Sequence, residues 1–289
     1  MTPNKACPDR SAKGAKSQYF CLPPCTLASN TFMSSSAPSS NSKLSIDLGN
    51  PVIVDVGANN GDDSDFYLAK GFSVIAIEAD PELAAALRER FAEAVEAHRC
   101  VVQNVAISEA QGPITFFKNA FSEWSSIRRD SKATQRHSHQ EIMVPGDTLS
   151  AILYPVPLIH YLKIDIEGGE LPAVASLKGI AERVRYLSFE INPDWEQILE
   201  LVDGYGFQRF KLIRQGRDYL QPPPMPAREG DYVATRFKNS MSGTFGEELP
   251  GEWISLEELR RAVVDCLQAM QERSSRGEPP GWYDVHATR

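Results

Sequence analysis

The chain of 289 residues lacks a long apolar segment and an excess of positive charge. No apolar run approaches the ~18 residues that a bilayer-spanning helix needs, and no N-terminal apolar run of the secretory signal type is present. The formal net charge of −8 argues against a nucleic-acid partner, because the phosphates would be repelled. We therefore expect neither a membrane nor a nucleic-acid partner, and we predict a cytoplasmic location.

Cysteine is also scarce, with five residues in the chain. Three of them, Cys7, Cys21 and Cys25, precede residue 44 and have no His or Cys set downstream that would complete a zinc site. The odd count does not suit a disulfide framework. These features favour a reducing compartment and predict no metal site of this kind.

Composition changes sharply near residue 44. Residues 1–43 carry five basic side chains and one acidic side chain and are rich in serine, so this part is +4 and the remainder is −12. We predict three parts: a disordered Ser-rich arm at 1–44, a main domain at 45–240 and a C-terminal helical extension packed on it at 241–289. A basic, Ser-rich N-terminus is also typical of organellar transit peptides, and this alternative stays open.

Strand-like and helix-like patterns alternate after residue 45. Short apolar runs predict strands at 52–56, 74–77, 101–107, 161–166 and 186–191, with helices at 64–70, from Pro81 and at 171–177. Two strands around 114–117 and 142–144 flank a polar stretch, and further strands are expected at 207–213 and 232–237. The capping box of Ser255 and Glu258 predicts a C-terminal helix. Such alternation is typical of a parallel sheet covered by helices.

A strand that runs into a glycine turn predicts a ligand site at residues 54–61. Glu78 ends the next strand, 21 residues after Gly57, where an acid can accept hydrogen bonds from the two hydroxyls of a ribose. The turn departs from the G-x-G-x-x-G pattern, and Asp55 would repel a pyrophosphate. S-adenosylmethionine, which has an amino group and no phosphate, is therefore favoured over a dinucleotide, although a nicotinamide-dependent oxidoreductase remains an alternative.

A second set of charged residues follows the strand predicted at 161–166. Lys163, Asp165 and Glu167 alternate with apolar residues and precede a Gly-Gly turn. In a buried strand these charges are costly unless they are paired or lie at the carboxyl edge, where open α/β sheets bind ligands. Asp165 and Glu167 are our first candidate catalytic residues, because either could act as a base for a hydroxyl acceptor. His160 is the next candidate for this base. Two such carboxylates could alternatively hold a divalent cation.

Four segments, in this order and spacing, resemble the FkbM family of S-adenosylmethionine-dependent methyltransferases: 55–61, 77–81, 162–170 and 189–190. The resemblance implies a Rossmann-like class I methyltransferase fold, with a mostly parallel seven-stranded α/β sheet, an inserted hairpin or loop and a C-terminal helical extension. It also implies that S-adenosylmethionine is the cofactor and that residues 45–240 bind it. The predicted cofactor site consists of Asp55, Gly57, Ala58, Asn59, Gly61, Glu78, Ala79 and Asn104.

The resemblance further implies O-methylation of a hydroxyl on a small molecule, natural product or saccharide. A Ser-containing segment at 122–127 is expected to line the cofactor or acceptor pocket. A protein that binds S-adenosylmethionine without catalysis is the other alternative.

Overall fold

A sheet of seven strands forms the centre of the computed structural model, which describes residues 44–129, 134 and 138–289. The predicted arm lies outside the described residues, apart from Leu44. The strands of the described part are β1 (Val52–Val56), β2 (Ser73–Glu78), β3 (Cys100–Asn104), β4 (Ala106–Ile107), β5 (Gly112–Asn119), β6 (His139–Asp147), β7 (Ile159–Ile164), β8 (Val184–Glu190), β9 (Arg209–Arg214) and β10 (Tyr283–Thr288).

The strand order of the large sheet is β3-β2-β1-β7-β8-β10-β9. The first five strands run parallel, and β10 is antiparallel to both of its neighbours. The chain order reverses between β1 and β7, and open α/β sheets bind ligands beyond the carboxyl ends of the strands at such a point. The predicted fold class, a mostly parallel sheet of seven strands, is confirmed.

Helices cover both faces of this sheet. In the described residues they are α1 (Asp62–Ala69), α2 (Pro81–Arg90), α3 (Ala92–Glu96), α4 (Leu149–Leu153), α5 (Glu170–Ala175), α6 (Trp195–Gly204) and α7 (Leu256–Ser275). One apolar core packs α4, α5, α6 and α7 against one face, and a second packs α1 and α2 against the other. Both faces of the parallel strands are therefore buried, which explains their continuous apolar runs.

The inserted hairpin consists of β5 and β6, which pair antiparallel over eight residue pairs and form a three-stranded sheet with β4. The run predicted as one strand at 101–107 is divided between two sheets. Its first part is β3 of the large sheet, and after Val105 the chain continues as β4 of the small sheet. An apolar pattern does not reveal such a change of partner.

The predicted strand at 232–237 is wrong, since residues 232–238 form no regular strand. Phe237 is buried because it packs edge-on against Phe66 of α1, with ring centroids 5.2 Å apart. The seventh strand is instead β10, which inserts between β8 and β9. The segment predicted as a helical extension thus contains α7, with its capping box at Ser255 and Glu258, and also an internal strand of the sheet.

No helix in the described part of the chain combines the length and the apolar character that crossing a bilayer requires.

Candidate functional site

A cavity of about 720 Å³ lies at the carboxyl ends of β1, β2, β7 and β8. It extends from Glu78 and Ala79 past the turn after β1 to the turn after β7. The hairpin segment contributes Ser122 and Trp124 to its wall, and residues 239–242 and Trp282 close it from the other side. The volume lies within the range of ligand pockets, ~300–1,000 Å³.

The turn after β1 brings the backbone close to β7. Gly57 has φ +84°, and a Cβ placed there would lie 1.9 Å from the carbonyl oxygen of Asp165. The N–H groups of Gly57 and Ala58 both donate to the carbonyl of Ile77, at 2.9 and 3.0 Å. Only glycine fits this position, and the turn is tied to β2 beside it.

Glu78 ends β2 at the opposite end of the cavity, with 7% of its surface exposed. One carboxylate oxygen accepts from the N–H of Asn59 and the other from the N–H of Asp80, each at 2.8 Å. Burial raises its pKa, although these backbone N–H groups oppose the shift. Because a carboxylate oxygen has two acceptor sites, both oxygens can still accept from a ribose hydroxyl.

Asn104 supports this site from behind. Its side-chain amide donates to the carbonyls of Glu78 and Ala79, at 2.9 and 3.0 Å. Gly61 has a comparable role, since a Cβ there would lie 2.5 Å from Leu87 and 2.8 Å from Phe91. Neither residue lines the cavity. Asn104 and Gly61 instead hold the turns whose residues line the cavity.

Lys163 holds three carboxylates together beneath the cavity. Its ammonium lies 3.3 Å from Asp55, 3.2 Å from Asp63 and 3.3 Å from Asp165. Burial disfavours its charged form, but the three carboxylates outweigh this effect and raise the pKa of Lys163 well above its usual value. The charges in β7 are therefore paired, as burial requires.

The structure places Asp55 behind the cavity wall rather than in it. Asp55 is fully buried and accepts from the hydroxyl of Ser64, at 2.7 Å. Asp63, on the first turn of α1, lines the cavity instead, and sequence reasoning missed it. Burial, partly offset by Lys163, raises the pKa of Asp63 to about 6. The sequence signal that could have identified Asp63 is the pair of acidic residues directly after Gly61.

Asp62 and Asp63 also fix the segment that closes the cavity. Asp63 accepts from the N–H of Ser242, at 3.0 and 3.1 Å. Asp62 binds the ammonium of Lys238 and the hydroxyl of Ser240, at 3.0 and 2.9 Å. The N-terminus of α1 thus positions one wall of the cavity through charge-assisted hydrogen bonds.

Asp165 and Glu167, the predicted catalytic residues, both line the cavity. The Asp165 side chain is 43% exposed. Glu167 has φ +53°, and its carbonyl accepts from the hydroxyl of Ser126, at 2.7 Å. The buried Glu170 fixes the turn by accepting from the N–H groups of Ile166 and Gly168, at 3.2 and 2.9 Å.

Glu190 and the candidate base His160 occupy different positions. Glu190, at the end of β8, lines the cavity. His160 lies at the opposite end of the sheet, where its ring nitrogen contacts Glu229 at 2.7 Å and its ring packs against Phe72 and Tyr186. His160 is therefore a packed residue and not a base for this cavity.

The hairpin segment at 122–127 does line the cavity, as expected. The hydroxyl of Ser122 donates to the side-chain oxygen of Asn59, at 2.8 Å, and so connects the hairpin with the turn after β1. Asn59 itself has φ +48° and lines the cavity. In the described residues, no group of three or more His, Cys, Asp and Glu side chains is arranged to hold a metal ion. The alternative of a divalent cation on Asp165 and Glu167 thus gains no support.

The parallel sheet, the inserted β10 and the cavity at the switch point define a Rossmann-like class I methyltransferase fold. The profile of the Methyltransferase FkbM domain matches residues 55–209. The chain belongs to this family of S-adenosylmethionine-dependent methyltransferases. The resemblance noted in the sequence is confirmed, and with it the cofactor prediction.

No curated protein matches the chain. Among solved structures, a methyltransferase FkbM from Methylobacillus flagellatus KT is similar at 18% identity, with a TM-score of 0.38, over 56% of this chain and 39% of that one. A SAM-dependent methyltransferase from Archaeoglobus fulgidus is similar at 9% identity and a TM-score of 0.37, over 83% and 87% of the two chains. Precorrin-6y C5,15-methyltransferase from Geobacter metallireducens GS-15 is similar at 11% identity and a TM-score of 0.35, over 83% of this chain and 80% of that one. These TM-scores are too low to support an inference about substrate.

Proposed function

We propose that this chain transfers the methyl group of S-adenosylmethionine to a hydroxyl oxygen of a small molecule or saccharide. One observation carries the proposal: a single cavity joins Glu78, which suits a ribose, to the carboxylates of Asp165 and Glu167. β1 lies between β2 and β7, so the two groups are two strand spacings apart, roughly 10 Å. A cofactor and an acceptor can therefore meet between them.

The residues present suit the cofactor. Glu78 would accept from the ribose hydroxyls, while Ala106, Ile107 and Phe116 give an apolar wall for adenine. Gly57, without a side chain, lets the ligand approach the backbone. Together with Ala58, Asn59 and Ala79 these residues form our proposed cofactor site. Asp55, Gly61 and Asn104 would act by supporting it.

When bound, S-adenosylmethionine supplies an electrophilic methyl group on its sulfonium. The carboxylate of Asp165 would accept the proton of the acceptor hydroxyl, since an alcohol is a weak nucleophile until it loses that proton. Lys163, 3.3 Å away, orients this carboxylate. Glu167 offers a second acceptor at the same end of the cavity. Most of the rate enhancement would come from holding the two ligands in line.

The nicotinamide alternative is disfavoured by the charge of the lining. Five carboxylates line the cavity, and Lys163 is the only cation among the described lining residues. A pyrophosphate would meet repulsion from most of them, whereas the ammonium and sulfonium of S-adenosylmethionine would not. The carboxylates are Asp63, Glu78, Asp165, Glu167 and Glu190.

Isothermal titration with S-adenosylmethionine, S-adenosylhomocysteine and NAD tests the cofactor site. We expect micromolar binding of the first two and none of NAD. Methyl transfer from labelled S-adenosylmethionine to hydroxylated acceptors, with the product position read by NMR, then tests the oxygen specificity. Methyl groups on nitrogen or carbon alone would refute the O-methylation proposal while leaving the methyltransferase assignment intact.

A further inference from the structure

Beyond Asp165, the cavity wall contains Glu190, and a second carboxylate, Asp284, lies next to it in the sheet. Glu190, at the end of β8, is directly opposite Asp284 of β10. Residues opposite each other in an antiparallel pair direct their side chains to the same face of the sheet. Glu190 lines the cavity, and Asp284, with 7% of its surface exposed, lies behind Glu190 and does not itself line the cavity.

Neither carboxylate has a hydrogen-bond donor in the described part of the chain. Other buried carboxylates near the cavity accept from backbone N–H groups, for example Glu78 from Asn59 and Glu170 from Ile166 and Gly168. A buried acceptor without a donor is unusual in a folded protein, and a buried charge without a partner is more costly still. The pair therefore has room for a donor that the chain does not supply.

Neighbouring negative charges further disfavour the ionised forms of Glu190 and Asp284. Burial, and then the negative charges of Glu167 and Asp165, raises the pKa of Glu190 well above its usual value. The pKa of Asp284 is likewise raised by burial and by Asp165, although Lys163 opposes the shift. A positively charged ligand group would offset both the burial and the repulsion.

The position of the pair favours the acceptor rather than the cofactor. Glu190 lies three strands from Glu78, since β1 and β7 intervene, which is roughly 14 Å. In S-adenosylmethionine the ribose 3′-oxygen and the sulfonium are four covalent bonds apart, roughly 5 Å. With the ribose at Glu78, the methyl group lies between the cofactor site and the pair.

Aromatic side chains border the same cavity. Trp124 and Trp282 line it and remain 37% and 39% exposed. Trp282 lies directly before β10, two residues before Asp284. An indole face attracts cations and packs against the apolar face of a ring. These residues suit a cyclic, cationic ligand.

We propose that Glu190, with the negative charge of Asp284 behind it, binds a protonated amine of the acceptor, so that the substrate class is a hydroxylated amine such as an aminosugar. This inference rests on the proposed function, because it takes the hydroxyl of that molecule as the methyl acceptor. A protonated amine has no lone pair for attack, so binding it at the pair leaves the hydroxyl as the nucleophile. The pair selects the substrate, and Asp165 accepts the proton.

The test measures dissociation constants by ligand-observed NMR, with and without S-adenosylhomocysteine. The probes are glucosamine and 6-amino-6-deoxyglucose, each beside its N-acetylated form. We expect each amine to bind at least ~10-fold more tightly than its neutral partner. The double variant Glu190→Gln with Asp284→Asn should reduce this preference to within ~2-fold, while binding S-adenosylhomocysteine as the unmodified chain does.

A matched control separates a specific site from the general negative charge of the protein. Glu200 and Asp203 are exposed on α6. The double variant Glu200→Gln with Asp203→Asn removes the same charge and should keep the preference. Equal binding of amine and amide, or a preference that survives the Glu190 and Asp284 changes, overturns the proposal. Loss of S-adenosylhomocysteine binding in that variant also overturns it, by assigning the pair to the cofactor.

Stability gives an independent readout. Because Asp284 is buried, Glu190 is half-buried and neither has a donor among the described residues, the neutral amides should raise the melting temperature, whereas the control variant should leave it nearly unchanged. A lower melting temperature in the Glu190 and Asp284 variant would show that the pair is satisfied within the fold and would refute the proposal. If S-adenosylhomocysteine does not bind the unmodified chain, the proposed function fails, while the amine preference is still measured without it.

Discussion

Individual carboxylates in the cavity differ in their surroundings, and these differences separate their roles. Glu78 is held by two backbone N–H groups and suits a fixed contact with a ribose. Asp165 is 43% exposed and is held by one lysine, so it can reach an acceptor. We therefore expect Glu78 to act mainly in cofactor binding and Asp165 mainly in turnover.

Replacing each residue tests this division. Glu78→Ala should weaken S-adenosylhomocysteine binding by at least ~10-fold, because the ribose loses its acceptors. Asp165→Asn should lower kcat by ~10²-fold or more with little change in cofactor binding, because the amide cannot take the proton. Titration calorimetry and single-turnover assays measure the two effects. Equal losses of binding and turnover in both variants would contradict the assignment.

Asp63 gives a prediction about pH. Its pKa of about 6 in the folded chain exceeds its ordinary value of 3.8, so the folded state binds more protons than the unfolded state between these values. The Asp63 contribution to stability therefore decreases as pH rises through that window. The free energy of unfolding relative to Asp63→Asn should fall by on the order of 2 kcal/mol from pH 4 to pH 7.

The neighbouring Asp62 is a control with the opposite sign. Burial would raise its pKa, but hydrogen bonds from Lys238, Ser240 and Arg90 outweigh this effect and lower it. Its contribution is present at neutral pH and is lost as pH falls. Urea unfolding of Asp62→Asn and Asp63→Asn across pH should thus give opposite trends. Trends of the same sign would show that the surroundings of these carboxylates are not as described.

Close contact between two turns matters at the scale of the elements. The turn after β1 and the turn after β7 touch at Gly57, where a Cβ would lie 1.9 Å from a backbone oxygen. Such an overlap cannot be relieved by rotating a side chain. The separation of β1 and β7 at the cavity therefore depends on this glycine.

Gly57→Ala should destabilise the chain by at least ~3 kcal/mol and weaken cofactor binding. Gly179→Ala is a matched control, because Gly179 has φ +85° but no atom within 4 Å of its added Cβ. That variant should lose only ~1 kcal/mol, from the positive φ alone. Urea unfolding measures both. Similar losses would mean that φ strain, rather than the contact with β7, fixes Gly57.

At the scale of the whole molecule, the C-terminal strand connects two strands of the large sheet. β10 lies between β8 and β9, so the last residues of the chain complete the sheet that carries the cavity. Val285 of β10 is 1% exposed and belongs to the core shared with α4 to α7. The C-terminal strand therefore belongs to the same core as β1.

Val285→Ala should lower the free energy of unfolding by about 2 kcal/mol. Val264→Ala, at an α7 position that is 54% exposed, should change it by no more than ~0.5 kcal/mol. Urea unfolding measures both changes, and we expect a single cooperative transition for each variant. Two separate transitions, or an unchanged stability for Val285→Ala, would show that the C-terminal segment folds apart from the sheet.

The sequence by itself determined the elements with strong local signals. Continuous apolar runs predicted β1, β2, β7 and β8, because strands buried on both faces need apolar residues on both sides. Charged residues at the ends of such runs predicted which side chains meet at the carboxyl edge, and Glu78, Asp165 and Glu167 do line one cavity. Motif order and spacing predicted the family and its cofactor.

Only the tertiary structure decided which side chains face the cavity and which lie behind it. Asp55 and Asp63 are both near Gly57 in sequence, yet Lys163 and Ser64 hold Asp55 in the core while Asp63 faces the cavity. Asp284 is opposite Glu190 although 94 residues separate them in the chain. Pairing between distant strands depends on the packing of the whole chain, which a local pattern does not encode.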